Sequence, residues 1–173
     1  MSTSKFIVPV PKIEDRDFIK PLLCGPGPCD VWPSVAEALI KPVLSPVCDE
    51  FFDVLADIQK GLKYLFQTKS NLVLAISGSG WSGAETIISN LLAPSETLLI
   101  ATRGYWGDRA FDSAKRYGIN AVQFRIPFNT TFSLDQIERE LKKLRPTALF
   151  IIHGDSSTGT VQSLIGLGEL CHK

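Results

Sequence analysis

Residues 97–126 read TLLIATRGYWGDRAFDSAKRYGINAVQFRI, and this stretch decides the fold. Thr97–Ala101 is an almost wholly apolar run, too short for a helix, and reads as a strand. Asp108–Tyr117 follows as a helix, closed by Gly118 in the role of C-cap. Ala121–Ile126 is a second apolar run. A strand, a helix and a strand in so short a space imply a parallel pair joined by a helical crossover.

The pattern continues outward in both directions. Upstream, Leu72-Val73-Leu74-Ala75-Ile76 reads as another strand, and Ala84–Leu92 as the helix after it. Downstream, Ser133-Leu134-Asp135-Gln136 has capping-box spacing and opens a helix to about Leu144. Ala148–Ile152 is the next strand, and a last helix is expected near Ser163. Apolar strands separated by helices imply an α/β fold: a largely parallel sheet with helices on both faces. Further upstream, Phe52, Leu55, Ile58, Leu62 and Leu65 recur at three- and four-residue steps, which predicts a helix over 49–66 with one buried stripe. Pro33 suits the first position of a short helix to about Ile40. Residues 1–30, rich in proline and closing with Gly25-Pro26-Gly27-Pro28, read as an extended N-terminal arm ahead of a domain over 31–173.

Lys plus Arg (18) balance Asp plus Glu (18), so the basic footprint that nucleic acid or an anionic membrane requires is missing. No run reaches the roughly 20 apolar residues of a membrane span. Lys5, Lys12, Glu14, Asp15, Arg16 and Asp17 are foreign to a secretory signal, so the glycosylation pattern at Asn129-Thr130-Thr131 is expected to be idle. Cys24, Cys29, Cys48 and Cys171 are irregularly spaced and only two histidines exist, a composition for reduced cysteines rather than a disulfide framework or a zinc site.

In open α/β sheets, ligands bind beyond the carboxyl ends of the strands. Ser77-Gly78-Ser79-Gly80-Trp81-Ser82-Gly83 runs from a strand into a helix, where free N–H groups and the helix dipole favour an anion such as phosphate. Such a turn also serves as a plain tight connection. No lysine follows the glycines, so the loop is not a P-loop. The dinucleotide spacing is met, but Thr102-Arg103 stand where an acidic residue should close the second strand, which leaves a nucleotide-binding module as an alternative. In Arg103-Gly104-Tyr105-Trp106-Gly107, flanking glycines would let the indole present its face to a flat ligand, or the tryptophan packs on a helix. His153-Gly154-Asp155-Ser156-Ser157-Thr158-Gly159 places seven small or polar residues directly after an apolar strand, a composition that suits a cavity with a polar guest. An anion site, an aromatic plane and a set of hydroxyls together suit a phosphorylated aromatic cofactor.

The ordered set Gly25-Pro26-Gly27-Pro28, Ser77-Gly78-Ser79-Gly80, Tyr105-Trp106-Gly107 and His153–Gly159 resembles the alanine–glyoxylate (serine–pyruvate) aminotransferases, within the class-V aminotransferases. Gly61–Thr68 and Gly168–His172 look like the same family, and the similarity runs from about residue 20 to the end. The insect 3-hydroxykynurenine transaminases are similar over the same stretch. The resemblance implies the N-terminal part of a fold type I large domain that binds pyridoxal 5'-phosphate (PLP), incomplete over 31–173 and lacking the small domain. It implies conversion of L-alanine and glyoxylate to pyruvate and glycine, with small amino acids and 2-oxo acids as substrates. Main chain at Ser79, Gly80 and Trp81 would hold the phosphate, Trp106 would stack on the pyridine ring, and Ser156 would bond near its phenolic oxygen. Gly27 and Ser45 would line the substrate pocket of a homodimer, Ser45 reaching the partner subunit's site and the arm crossing the other protomer.

This chain departs from the family pattern at Cys29-Asp30, at Trp81 (commonly histidine) and at Pro46 (commonly asparagine). Main-chain contacts survive such changes, whereas a substrate contact through an amide side chain would not survive Pro46. The Schiff-base lysine, the carboxylate for the pyridine nitrogen and the substrate arginine belong to segments expected beyond Lys173, so the chain reads as a fragment with no catalytic residue of its own. An inactive, truncated paralogue that dimerises or binds a partner is the alternative. Family members are often peroxisomal, with cytoplasm or mitochondrion as alternatives, although Cys171-His172-Lys173 is no peroxisomal address.

Overall fold

A computed structural model describes residues 12–19 and 21–172; the remainder of the expected arm lies outside the described residues. The chain divides after Pro42 into two compact units. The first carries irregular chain and one short helix, α1 (Pro33–Leu39), entered through Pro33 as expected. The Trp32 carbonyl accepts from the N–H groups of Val35 and Ala36 at 2.9 and 3.0 Å, which closes its first turn.

The second unit holds α2 (Asp49–Leu65), α3 (Gly80–Leu91), β1 (Thr97–Thr102), α4 (Tyr105–Arg116), β2 (Asn120–Arg125), α5 (Leu134–Leu144) and β3 (Ala148–Ile151). A small hairpin, β4 (Gly154–Asp155) with β5 (Thr160–Val161), and α6 (Leu167–Cys171) complete it. The sheet order is β2-β1-β3 with both pairings parallel, Leu98 lying opposite Ala121 on one side and Ala148 on the other. Strand β1, buried along nearly its whole length, therefore forms the middle of the sheet. Alternation along it feeds two cores. Leu98 and Ile100 pack with Ile88 of α3 and Ala110 and Ala114 of α4. Ala101 packs on the other face with Phe132, Ile137 of α5 and Leu167 of α6. The α/β expectation, with helices on both faces, holds.

Local chemistry explains the boundaries. The capping box at Ser133 is present in full, Ser133 Oγ accepting from Gln136 N–H at 3.2 Å and Gln136 Oε1 from Ser133 N–H at 2.9 Å. Gly118 ends α4 at a φ of +72°, where glycine carries no Cβ penalty. Gly107 lies where α4 touches β1: a Cβ there would stand 2.9 Å from Thr102 Cα.

Four expectations are corrected. Leu72–Ile76 joins no ladder, because no described strand lies beside it; Leu72 and Leu74 stand exposed, and the Gln59 side chain donates to the Asn71 and Val73 carbonyls instead. The stripe on α2 is not buried by the described residues: it lies beside the 73–75 segment, and Phe52, Leu55, Ile58 and Leu65 remain largely exposed. The last helix starts at Leu167 rather than near Ser163, because the buried Gln162 side chain bonds both backbone groups of Phe132 and Gly166 takes a left-handed φ of +77°. The stretch Tyr105-Trp106-Gly107 is the first turn of α4, not a loop, so Gly107 serves close packing rather than a bend around the indole.

Gly107→Ala is expected to lower stability by about 1–3 kcal/mol, because the new Cβ meets backbone rather than a flexible side chain; unchanged denaturant unfolding would contradict the close approach. Phe52→Ser with Leu65→Ser is expected to reduce hydrophobic-dye binding and self-association while changing stability by less than about 0.5 kcal/mol. A large loss of stability in that double variant would mean the stripe is covered.

Candidate functional site

The segment from Thr102 to Gly107 leaves the carboxyl end of β1 and turns at once into α4. Arg103 points inward and is 2% exposed. Its guanidinium donates to Thr130 O at 3.3 Å, Thr160 Oγ1 at 2.5 Å, Ile152 O at 3.1 Å and His153 O at 3.2 Å. It is thus committed to the chain's own carbonyls and to Thr160.

Gly104 comes next, and a Cβ there would fall 2.7 Å from Asp155 Oδ2 and 2.8 Å from Ser157 Oγ. Only a residue without a side chain lets the two loops approach this closely. Asp155, 3% exposed, accepts through Oδ1 from Ser157 N–H at 2.9 Å and Ser157 Oγ–H at 2.6 Å. Ser157 Oγ in turn accepts from Tyr105 N–H at 3.2 Å. Trp106 Nε1 then donates to Ser156 Oγ at 2.9 Å. The hairpin turn and the first turn of α4 are therefore held together by two bonds, Tyr105 N–H to Ser157 and Trp106 Nε1–H to Ser156, and the second tethers the edge of the indole.

Facing this clamp is the N-terminus of α3. Ser79 is its N-cap, accepting from Ser82 N–H at 3.4 Å, and Gly80 and Trp81 form the first turn. First-turn N–H groups have no intrahelical acceptor, and those of Gly80 and Trp81 bond no described residue. Gly78 leads in at a φ of +150°, with Ser82 Oγ 2.7 Å from where its Cβ would be. A cavity of about 550 Å³ lies between these elements, lined by Ser79, Gly80, Trp81, Trp106, Arg109 and Gly154 among others. That volume suits a small cofactor.

Four of the expected cofactor residues, Ser79, Gly80, Trp81 and Trp106, thus share one cavity, and Ser156 is bonded to Trp106. Ser45 lies ahead of α2, exposed, its Oγ accepting from Val47 N–H at 3.4 Å, and does not line this cavity. Gly27 belongs to the N-terminal unit, where it is exposed with no heavy atom near its would-be Cβ. Three participants escaped the sequence reading. Asp155 was one polar residue among seven, although an aspartate two positions before a serine is a known turn signal. The need for Gly104 arises from a partner some fifty positions away. Arg109, one helical turn beyond Trp106, lies with its guanidinium carbon 4.4 Å from the Trp81 ring centroid, and no sequence signal marked it.

The parallel sheet thus carries at its carboxyl edge a helix N-terminus with free N–H groups, an indole tethered by a serine and a hydroxyl-bearing hairpin. Residues 44–173 match the class-V aminotransferase family, and the chain belongs to it. It is 37% identical over 175 residues to alanine–glyoxylate aminotransferase of Rattus norvegicus and 38% identical over 169 residues to that of Drosophila melanogaster, covering 100% and 96% of this chain. The chain spans only 42% and 43% of the length of those two relatives. Among solved structures, alanine–glyoxylate aminotransferase from Nostoc sp. superposes with a TM-score of 0.88 at 35% identity, covering 93% of this chain and 43% of that one. Ureidoglycine–glyoxylate aminotransferase from Bacillus subtilis gives 0.84 at 31%, covering 91% and 41%. The fold is accordingly the N-terminal part of a fold type I large domain, and PLP is the cofactor the family implies. Among the described residues no helix is long and apolar enough to cross a membrane, and no cluster of three or more His, Cys, Asp or Glu is placed to hold a metal.

Asp155→Ala is expected to cost about 1–3 kcal/mol, since it strips the Ser157 N–H and hydroxyl of their acceptor. Thermal unfolding checks it; a stability equal to the parent would mean the clamp is idle.

Proposed function

We propose that this chain forms the cofactor half-site of a PLP-dependent transaminase of the alanine–glyoxylate type, whose complete form takes L-alanine and glyoxylate to pyruvate and glycine. The observation that carries the reading is the Trp106–Ser156 bond beside the unsatisfied first-turn N–H groups of α3. The residues fit the cofactor. Main-chain N–H groups of Gly80 and Trp81, with Ser79 before them, hold the phosphate, where the positive end of the helix dipole adds to the hydrogen bonds. Trp106 provides the plane for the pyridine ring. Ser156 Oγ accepts from the indole and keeps its own hydrogen to donate to the ring's phenolic oxygen.

When bound, PLP acts as an electron sink for the electrons released at the amino acid's Cα. In this reading the chain's part is to bind the phosphate, fix the ring's plane and supply a proton donor at Ser156 Oγ. Among the described residues none that lines the cavity is a lysine, and in this reading the covalent anchor and proton shuttle come from another part of the complete enzyme. Gly27 and Ser45 are substrate-contact residues in the complete enzyme, a homodimer in which Ser45 reaches the partner subunit's site. The resemblance that supports this also supports a peroxisomal setting.

Titrating the protein with PLP, followed by cofactor absorbance and quenching of tryptophan emission, tests the site. Loss of a stacked ring is worth about 0.5–1.5 kcal/mol beyond area burial, so Trp106→Ala should bind PLP up to about tenfold more weakly. Equal affinity would refute the stacking assignment. With PLP, alanine and glyoxylate the 173-residue chain should form no pyruvate beyond the free-cofactor rate; faster formation would show a lysine acting from within it.

A further inference from the structure

We propose that Arg109 is a positioning residue for the cofactor platform: its guanidinium clamps Trp81 onto Trp106 and thereby fixes the plane of the Trp106 indole. The proposal rests on the reading of Trp106 as the surface that receives the cofactor ring.

The geometry is a three-member stack. Trp81, in the first turn of α3, and Trp106, in the first turn of α4, have ring centroids 6.0 Å apart and planes 29° apart. The Arg109 guanidinium carbon lies 4.4 Å from the Trp81 centroid and 5.8 Å from that of Trp106, so one cation touches both quadrupoles. Tyr105 meets Trp106 edge-on at 5.1 Å. Arg109 comes three residues after Trp106 on α4, which puts both side chains on one face of the helix.

Arg109 has no competing engagement. Asp108 is taken by Arg125 and by Gln123, and among the described residues no carboxylate forms an ion pair with Arg109. Glu85, Asp112 and Arg116 line the neighbouring cavity between α3 and α4, and Glu85 receives a bond from Ser113 at 3.3 Å. Among the described residues the guanidinium thus meets the two indole faces, at the boundary shared by the two cavities.

Without such a clamp, Trp106 has one specific tether, the bond from Nε1 to Ser156. A single hydrogen bond at the ring's edge leaves rotation about that edge open. Trp81 on the ring's flank closes it, and Arg109 holds Trp81 there. The effect on the cofactor is indirect, through the orientation of a residue that touches it.

The experiment compares the parent chain with Arg109→Leu, Arg109→Lys and Trp81→Phe. Two indoles this close give an exciton couplet in far-ultraviolet circular dichroism, readable without any cofactor, and Trp81→Phe identifies it by removing it. Arg109→Leu should diminish the couplet and weaken PLP binding about two- to fivefold, the range an exposed cation–π contact supports. Arg109→Lys, which keeps the charge but loses the planar guanidinium, should retain only part of both, its couplet falling between those of the parent and of Arg109→Leu. Should Arg109→Leu unfold the chain, a couplet weakened in folded Arg109→Lys supports the clamp. A couplet unchanged in whichever of the two folds overturns it. A parent that shows the Arg109-dependent couplet yet takes up no PLP refutes the cofactor reading while the clamp stands.

Discussion

The buried Arg103 guanidinium gathers segments that are remote in sequence: the Thr130 carbonyl, the Ile152 and His153 carbonyls just past β3, and Thr160 of the hairpin. Backbone carbonyls beyond a strand's end have lost their ladder partners and need donors. A guanidinium, with several N–H groups in one plane, satisfies them from one point. Removing it would take the donor from the Thr130 and Ile152 carbonyls, while His153 O would keep only the Gln162 N–H. The rest of the site depends on this anchor, since it fixes where β1 ends relative to the hairpin.

From that point the chain gives successive residues separate tasks. Thr102 lies against Gly107, Arg103 points down into the carbonyls, and Gly104 lets Asp155 and Ser157 come close. Tyr105 lends its N–H to Ser157, and Trp106 its indole N–H to Ser156. Each role excludes most other residue types. A side chain at position 104 would separate the loops, and one at 107 would lift α4 from the sheet. The site is preorganised because its supports are packed backbone contacts and short bonds rather than long flexible side chains.

Most of the layout was legible in the sequence because it depends on local pattern. The βαβ unit of 97–126, the capping box at Ser133 and the polar run after β3 are all written within a few residues of where they act. The features that were not legible depend on partners. Leu72–Ile76 has strand composition, but a strand exists only beside another, and no described strand is there. The α2 stripe has the right period, yet period specifies which face is apolar and not what covers it. Asp155 and Gly104 take their meaning from each other across some fifty residues. Five expected cofactor residues converge because each lies in a segment just after a strand-like run, where this topology gathers ligand contacts.

The tryptophan at position 81 shows how a site separates what backbone does from what side chains do. The N–H at 81 belongs to the helix start and is presented whatever residue occupies the position, provided Ser79 caps the turn. Under the proposed function, phosphate binding through main chain would therefore be indifferent to which side chain stands at 81. The side chain is not neutral, because in this chain it packs on the core formed by α3, α4 and the sheet and flanks Trp106 at 6.0 Å. An imidazole is smaller and would leave that flank thinner, with less ring surface for Arg109 to cover. The substitution thus trades a polar ring for a larger apolar one beside the platform. In the proposed reading the anion contact would depend on the helix, while the ring contact would depend on the stack of Trp81, Trp106 and Arg109.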